Sequence, residues 1–179
     1  MNPRLPNLPS LILIALLVST AVQSRAEDCF SNLPDSIRSA VEQDHWTILQ
    51  STDLPLADAK VFRNAHQGQC PGVAVGNFHP KGDKSYAIAL IQQDDQKNIL
   101  EKLLVVYLKK DQPRTEIAVP PTQVPSPFVV WRLVPGHYSS FDGKQAGISR
   151  DSFVYEKIDA LTRQFFYQGS HLESFVISN

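Results

Sequence analysis

The sequence predicts an α+β fold in which one N-terminal helix packs on a mostly antiparallel sheet of six to eight strands. Three observations carry this expectation. A narrow apolar stripe recurs at helical spacing within residues 34–45, hydrophobicity switches to every second residue from Gly72 onward, and turn residues cut the remainder into short runs. No segment repeats at a period of 20–50 residues, which argues against a solenoid or propeller.

The first 26 residues, MNPRLPNLPSLILIALLVSTAVQSRA, read as a signal peptide. Arg4 supplies a positive end, and the apolar run of residues 11–22 is too short for a stable span of a roughly 30 Å hydrocarbon core. Ser24 and Ala26 occupy the small-residue positions of a cleavage site before Glu27. Residues 27–179 are then expected to form one globular domain, about the size at which a hydrophobic core needs no metal staple.

Within 34–45, Pro34 suits the first helical turn, Asp35 lies near the positive end of the helix dipole, and Ile37, Ala40 and Val41 share a face. Trp46 and Ile48 begin an extended segment, while residues 49–69 are mixed and polar and predict no element. Strands are expected over residues 72–78, 84–92 and 102–109. In the second, Tyr86, Ile88 and Leu90 alternate with Ala87, Ala89 and Ile91; in the third, Leu103, Val105 and Tyr107 alternate with Leu104, Val106 and Leu108. Strands apolar on both faces are covered on both, so these two should be central. Residues 93–101 read as the polar hairpin link between them, with a helical turn as the alternative.

Residues 113–127 hold Pro113, Pro120, Pro121, Pro125 and Pro127. Proline lacks a ladder donor, so this stretch is an extended edge or a loop and not a central strand. Residues 128–134 recover a strand, 135–150 read as a Gly- and Ser-rich loop, and three strands close the chain at 152–158, 163–168 and 171–177. Gly169-Ser170 is a tight turn between the last two.

Charge is near balance, with 17 basic and 18 acidic residues and a net charge of −1. Nothing in that balance points to nucleic acid or an acidic membrane surface. After loss of the leader no membrane insertion is expected, and removing Arg4 and Arg25 leaves 15 basic residues, so the remainder is mildly acidic. The two cysteines, Cys29 and Cys70, pair most simply as a disulfide in an oxidising compartment. A thiolate metal site lacks companion ligands, and a catalytic thiol has only His66 nearby in sequence.

Residues 70–91, CPGVAVGNFHPKGDKSYAIALI, resemble the phrase "GDFNGDGKxDYAVLL" of small secreted proteins related to FG-GAP and VCBS repeats. The flanks (Leu33-Pro34, Trp46, Phe166-Tyr167 and Val176-Ile177-Ser178) are similar to a group of uncharacterised exported bacterial proteins. The resemblance implies a strand entering an Asp-rich calcium loop at 76–86 and a second strand leaving it. Here the ligand positions read Asn77, His79, Lys81, Asp83 and Ser85. Only Asp83 is a carboxylate and Lys81 is a cation, whereas calcium takes six to eight hard oxygens. The loop is therefore degenerate, and no metal or cofactor is expected.

The remaining chemistry is sparse. His45, His66, His79, His137 and His171 show no metal-ligand spacing. His137, Ser139, Ser140 and Asp142 hold triad ingredients, but triads are assembled from separate elements and no nucleophile elbow is present. The glycines at 136, 143 and 147 follow no phosphate-binding pattern. Asp94-Asp95 reads as a solvated turn and Lys109-Lys110 as edge protection. Trp131, Phe165, Phe166, Tyr167 and Phe175 should mostly be core, with Phe165 and Phe166 on opposite faces. The expected function is a periplasmic or secreted, non-catalytic binding domain for an unknown protein or small ligand, of which an inhibitor or immunity protein is one form. The alternatives are an exported hydrolase assembled around His137 and Asp142, or a structural envelope protein.

Overall fold

Alternation of apolar residues on both faces of residues 85–109 builds the centre of the molecule. The computed structural model describes Cys29 and residues 33–41, 44–81, 84–96 and 98–178. The predicted leader at 1–26, its cleavage site and Asp83 lie outside the described residues. Strand β3 (Ser85–Gln93) and strand β4 (Ile99–Lys109) pair antiparallel along their length, from Ser85↔Tyr107 to Gln93↔Ile99. One edge of β3 is shared in tandem by β1 (Thr47–Ile48) and β2 (Val73–Gly76). Beyond β4 lies β5 (Gln112–Val124), the outer strand of this five-stranded sheet.

A second sheet holds, in spatial order, β11 (His171–Ser178), β10 (Thr162–Gln168), β9 (Ser152–Glu156) and β6 (Val129–Leu133). The sheets face one another across a shared core. Ala87, Ala89, Leu103 and Val105 of the first meet Val130, Phe153, Tyr155 and Phe165 of the second. The opposite face of β3 and β4, with Tyr86, Ile88, Leu90, Leu104 and Val106, belongs to a separate cluster with Cys29, Leu33, Ile37, Val41 and Ile48. Both central strands are thus covered on both faces. Each large side chain so buried contributes about 1.5–3 kcal/mol.

The architecture is β-rich α+β and mostly antiparallel, but it differs from the expectation in several ways. The described residues form eleven strands in two main sheets and a separate hairpin, instead of one sheet of six to eight. They also hold two α-helices instead of one. Helix α1 (Asp35–Val41) is shorter than expected, because Asp44 and His45 take left-handed φ values of 55° and 66° that do not continue a helix. Residues 49–69, which predicted no element, contain a 3-10 turn (Ser51–Asp53) and helix α2 (Leu56–Ala65). Helix α2 buries only Ala59 and Phe62, too little apolar periodicity to read in advance. The expected loop at 135–150 forms the hairpin β7 (Gly136–Ser139) and β8 (Gln145–Ile148). Glu101, expected in the link after β3, lies inside β4.

The proline-rich stretch is an ordered edge strand up to Val124. Thr122 pairs with Glu101 and Val119 with Leu103, so Pro120 and Pro121 both oppose Lys102 in a bulge where no ladder donor is missed. The closing hairpin turns at Gly169, with φ 60°, between the pair Gln168↔His171. A disulfide joins Cys29 to Cys70, with Cα atoms 5.6 Å apart. No described helix is long and apolar enough to cross a membrane.

Candidate functional site

The two sheets close on one side and open on the other. On the closed side β2 lies beside β6, and the Val130 N–H donates to the Pro71 carbonyl at 2.7 Å. On the open side the outer strands β5 and β11 leave a cleft of about 340 Å³. Its walls are Ala118, Val119, Pro120, Thr122 and Val124 from β5 and its end, and Phe128, Tyr155, Leu161 and Phe165 from the second sheet and its links. Arg163 and Ser174 stand on the same wall as Phe165. A second opening with polar walls shares Ala118, Phe165 and Ser174 with the cleft and is lined further by Glu116, His171 and Glu173.

Beneath the apolar floor lies Glu101, fully buried. It points inward because it shares a face of β4 with Leu103 and Val105. Its two carboxylate oxygens accept the Phe128 N–H at 2.9 and 3.2 Å, and the Tyr155 hydroxyl bonds to the same group. Burial, only partly offset by those two hydrogen bonds, raises its pKa from 4.5 to about 8. Burial and the neighbouring Glu101 likewise hold the Tyr155 phenol well above its usual range. The ring of Tyr155 stacks on Phe128 at 4.6 Å, which fixes the floor of the cleft.

A clasp joins the sheets at the other end. Tyr167 donates to Glu116 at 2.6 Å across the opening. Behind it the buried ring of His79 stacks on Tyr107 at 3.5 Å and meets the edge of Tyr167 at 4.8 Å. Burial lowers the His79 pKa; Glu116 opposes that effect, while Lys81 and Arg150 reinforce it.

Most of the described positions expected in a calcium-type loop have structural roles. Ser85 accepts the Phe78 and His79 N–H groups at 2.9 and 3.1 Å and donates to the Gly76 carbonyl. His79 Nδ1 accepts the Lys81 N–H at 3.1 Å. The Asn77 side-chain oxygen accepts Arg150, and the Asn77 N–H donates to Asp151, which also pairs with Arg132 at 2.9 Å. Of the five expected ligand positions, the four described are thus oriented by protein partners or, for Lys81, held by its backbone.

The remaining candidates are scattered. Ser140 donates to Asp142 within one turn, where Lys144 also pairs with Asp142 at 3.0 Å, while His137 extends toward Gly147 on the neighbouring strand. His66 lies between Phe62 and Trp131, at 4.8 and 4.7 Å, and its pKa is lowered by burial against a smaller opposing effect of Glu156. Asp94 accepts the Gln96 and Asn98 N–H groups, a turn-closing role. Phe165 faces the core against Phe153, and Phe166 lies on the other face against Phe175. Sequence reasoning missed Glu101, Tyr155 and Arg163. Only Glu101 left a signal, as one acid in the alternating set Ile99, Glu101, Leu103, Val105.

Compared with protein-family models, with curated proteins and with solved structures, the chain matches none.

Proposed function

We propose that this protein is an exported, non-catalytic binding domain, periplasmic or secreted, and that it holds its ligand in the cleft between β5 and the β10–β11 wall. The observation that carries the reading is the cleft itself. Its volume lies within the range of small-ligand sites, its walls are mostly apolar, and a few polar groups stand at its edge. The Cys29–Cys70 disulfide and the signal-like residues 1–26 support export, and so does the resemblance of residues 70–91 to exported FG-GAP- and VCBS-related proteins. The described polar clusters serve the fold: Asn77 and Phe78 are held by Asp151, Arg150 and Ser85, and Ser140 and Asp142 close a turn.

Two-dimensional NMR of the processed protein against a panel of apolar and amphipathic small molecules tests the site. Saturable shifts centred on Val119, Tyr155 and Phe165 are expected. A panel that leaves those residues unmoved rejects the cleft as a binding site. Intact mass of protein from the native host tests export, which requires a chain beginning at Glu27.

A further inference from the structure

We propose that the cleft takes the anion of an amphipathic acid, with a carboxylate held by Arg163 and Ser174 and an apolar chain or ring lying along Val119 and Phe128. This rests on the preceding reading of the cleft. Arg163 is exposed and pairs across the sheet with Tyr155, so its side chain leaves the inner wall at the mouth. Among the described residues it forms no ion pair; its one polar contact is donation from Nη1 to the Ser174 hydroxyl oxygen at 3.4 Å. The Ser174 hydroxyl therefore acts as acceptor there, and its own proton has no partner among the described residues.

A guanidinium and a hydroxyl donor side by side at the edge of an apolar cavity match a carboxylate, which can accept from both. Along the wall Phe165 and Ser174 lie between Arg163 and Tyr167, and Ser174 also lines the neighbouring opening. Glu116 and Glu173 put negative charge there, and Glu116 is already engaged by Tyr167. An anion is thus drawn to the Arg163 end, and its apolar part is left to the cavity walls. A cation at the same place would face Arg163, and of the two nearby carboxylates Glu116 is committed to Tyr167 while Glu173 forms no ion pair among the described residues.

Octanoate, octan-1-ol and octylamine, titrated separately into the processed protein and followed by NMR, distinguish these possibilities. Octanoate should bind in the cleft more tightly than the alcohol or the amine, and more weakly as salt rises. Arg163→Gln should weaken octanoate about tenfold and leave octanol unchanged, and Ser174→Ala should weaken it by a smaller factor. Because Arg163 is exposed, the variant should retain the parent spectrum outside the cleft. Equal binding of octanol and octanoate, or an unchanged octanoate affinity in Arg163→Gln, overturns the anion assignment while leaving the cleft as a binding site. Silence from all three probes also overturns it, and the cleft reading falls with it only if the wider panel is silent too.

Discussion

The Phe128 backbone N–H points at both oxygens of the Glu101 carboxylate, at 2.9 and 3.2 Å, in the interior between the two sheets. One amide and the Tyr155 hydroxyl are a thin substitute for water around a carboxylate, and among the described residues no cation pairs with it. The proton is therefore retained to about pH 8. The sign follows from linkage: below the ordinary pKa of 4.5 the group is protonated in both folded and unfolded chains and its contribution is intact. As pH rises toward 8 the unfolded chain ionises freely and the folded one does not, so stability falls. Above 8 the loss levels off. Glu101→Gln should flatten this part of the profile, removing a loss on the order of 3–5 kcal/mol across the window. Urea denaturation of both proteins between pH 4 and 9 checks it; parallel profiles would refute the assignment.

Gly72 sits where β2 begins beside the segment leading out of β1. A Cβ there would overlap the Leu49 carbonyl oxygen, a backbone atom, and press on the side-chain Cγ2 of Ile48, with both residues buried. The Gly72 carbonyl also accepts the Ala89 N–H at 2.9 Å, which fixes its position against β3. Gly72→Ala should cost at least about 2 kcal/mol. Gly147→Ala, whose Cβ meets His137 at ordinary contact distance, should stay within about 0.5 kcal/mol. Thermal melts of the pair distinguish close approach from a general penalty on replacing glycine.

What the sequence made legible is what local pattern determines. Strands β3 and β4 were readable because each is a short apolar run bounded by polar residues, with Tyr86, Ile88 and Leu90 on one face of β3 and Ala87, Ala89 and Ile91 on the other. The β10–β11 hairpin was readable because Gly169 tolerates a positive φ. Helix α2 was hidden because Phe62 and Ala59 are its only buried side chains. The β7–β8 hairpin was hidden because its polar residues face water, and Tyr138 anchors it through the Val134 carbonyl, a contact without a sequence signature. The cleft was out of reach for a different reason. Val119, Arg163 and Tyr155 become neighbours only once β5 and β11 are known to be the unpaired edges of facing sheets.

The β4–β5 turn places Lys110 and Asp111 at φ 52° and 60° between the pair Lys109↔Gln112. Two consecutive left-handed residues are the signature of the hairpin turn that matches strand twist, and this turn prefers Asn-Gly. Neither Lys nor Asp adopts that region without cost. Asp111→Gly should therefore stabilise the protein by about 0.5–1 kcal/mol, the relief of strain outweighing the added freedom of the unfolded chain. Chemical denaturation reads the effect directly, and a lower midpoint for the glycine variant would contradict it.

The Cys29–Cys70 bond closes a loop of roughly 42 residues, for which the chain-entropy model gives about 4 kcal/mol as an upper figure. Its location adds a second consequence. Cys29 is buried in the cluster with Leu33, Ile37 and Val41, while Cys70 leads through Pro71 to the carbonyl that receives the Val130 N–H on the closed side of the sandwich. The bond therefore ties the α1 side of the first sheet to the corner where the two sheets meet. Reduction should lower stability by about 2–4 kcal/mol, or roughly 5–15 °C in Tm. The double variant Cys29→Ala/Cys70→Ala should melt with the reduced protein and ignore added reductant. A Tm that does not respond to reduction, with both thiols shown to be alkylated, would mean that the crosslink adds nothing the packed cluster does not already supply.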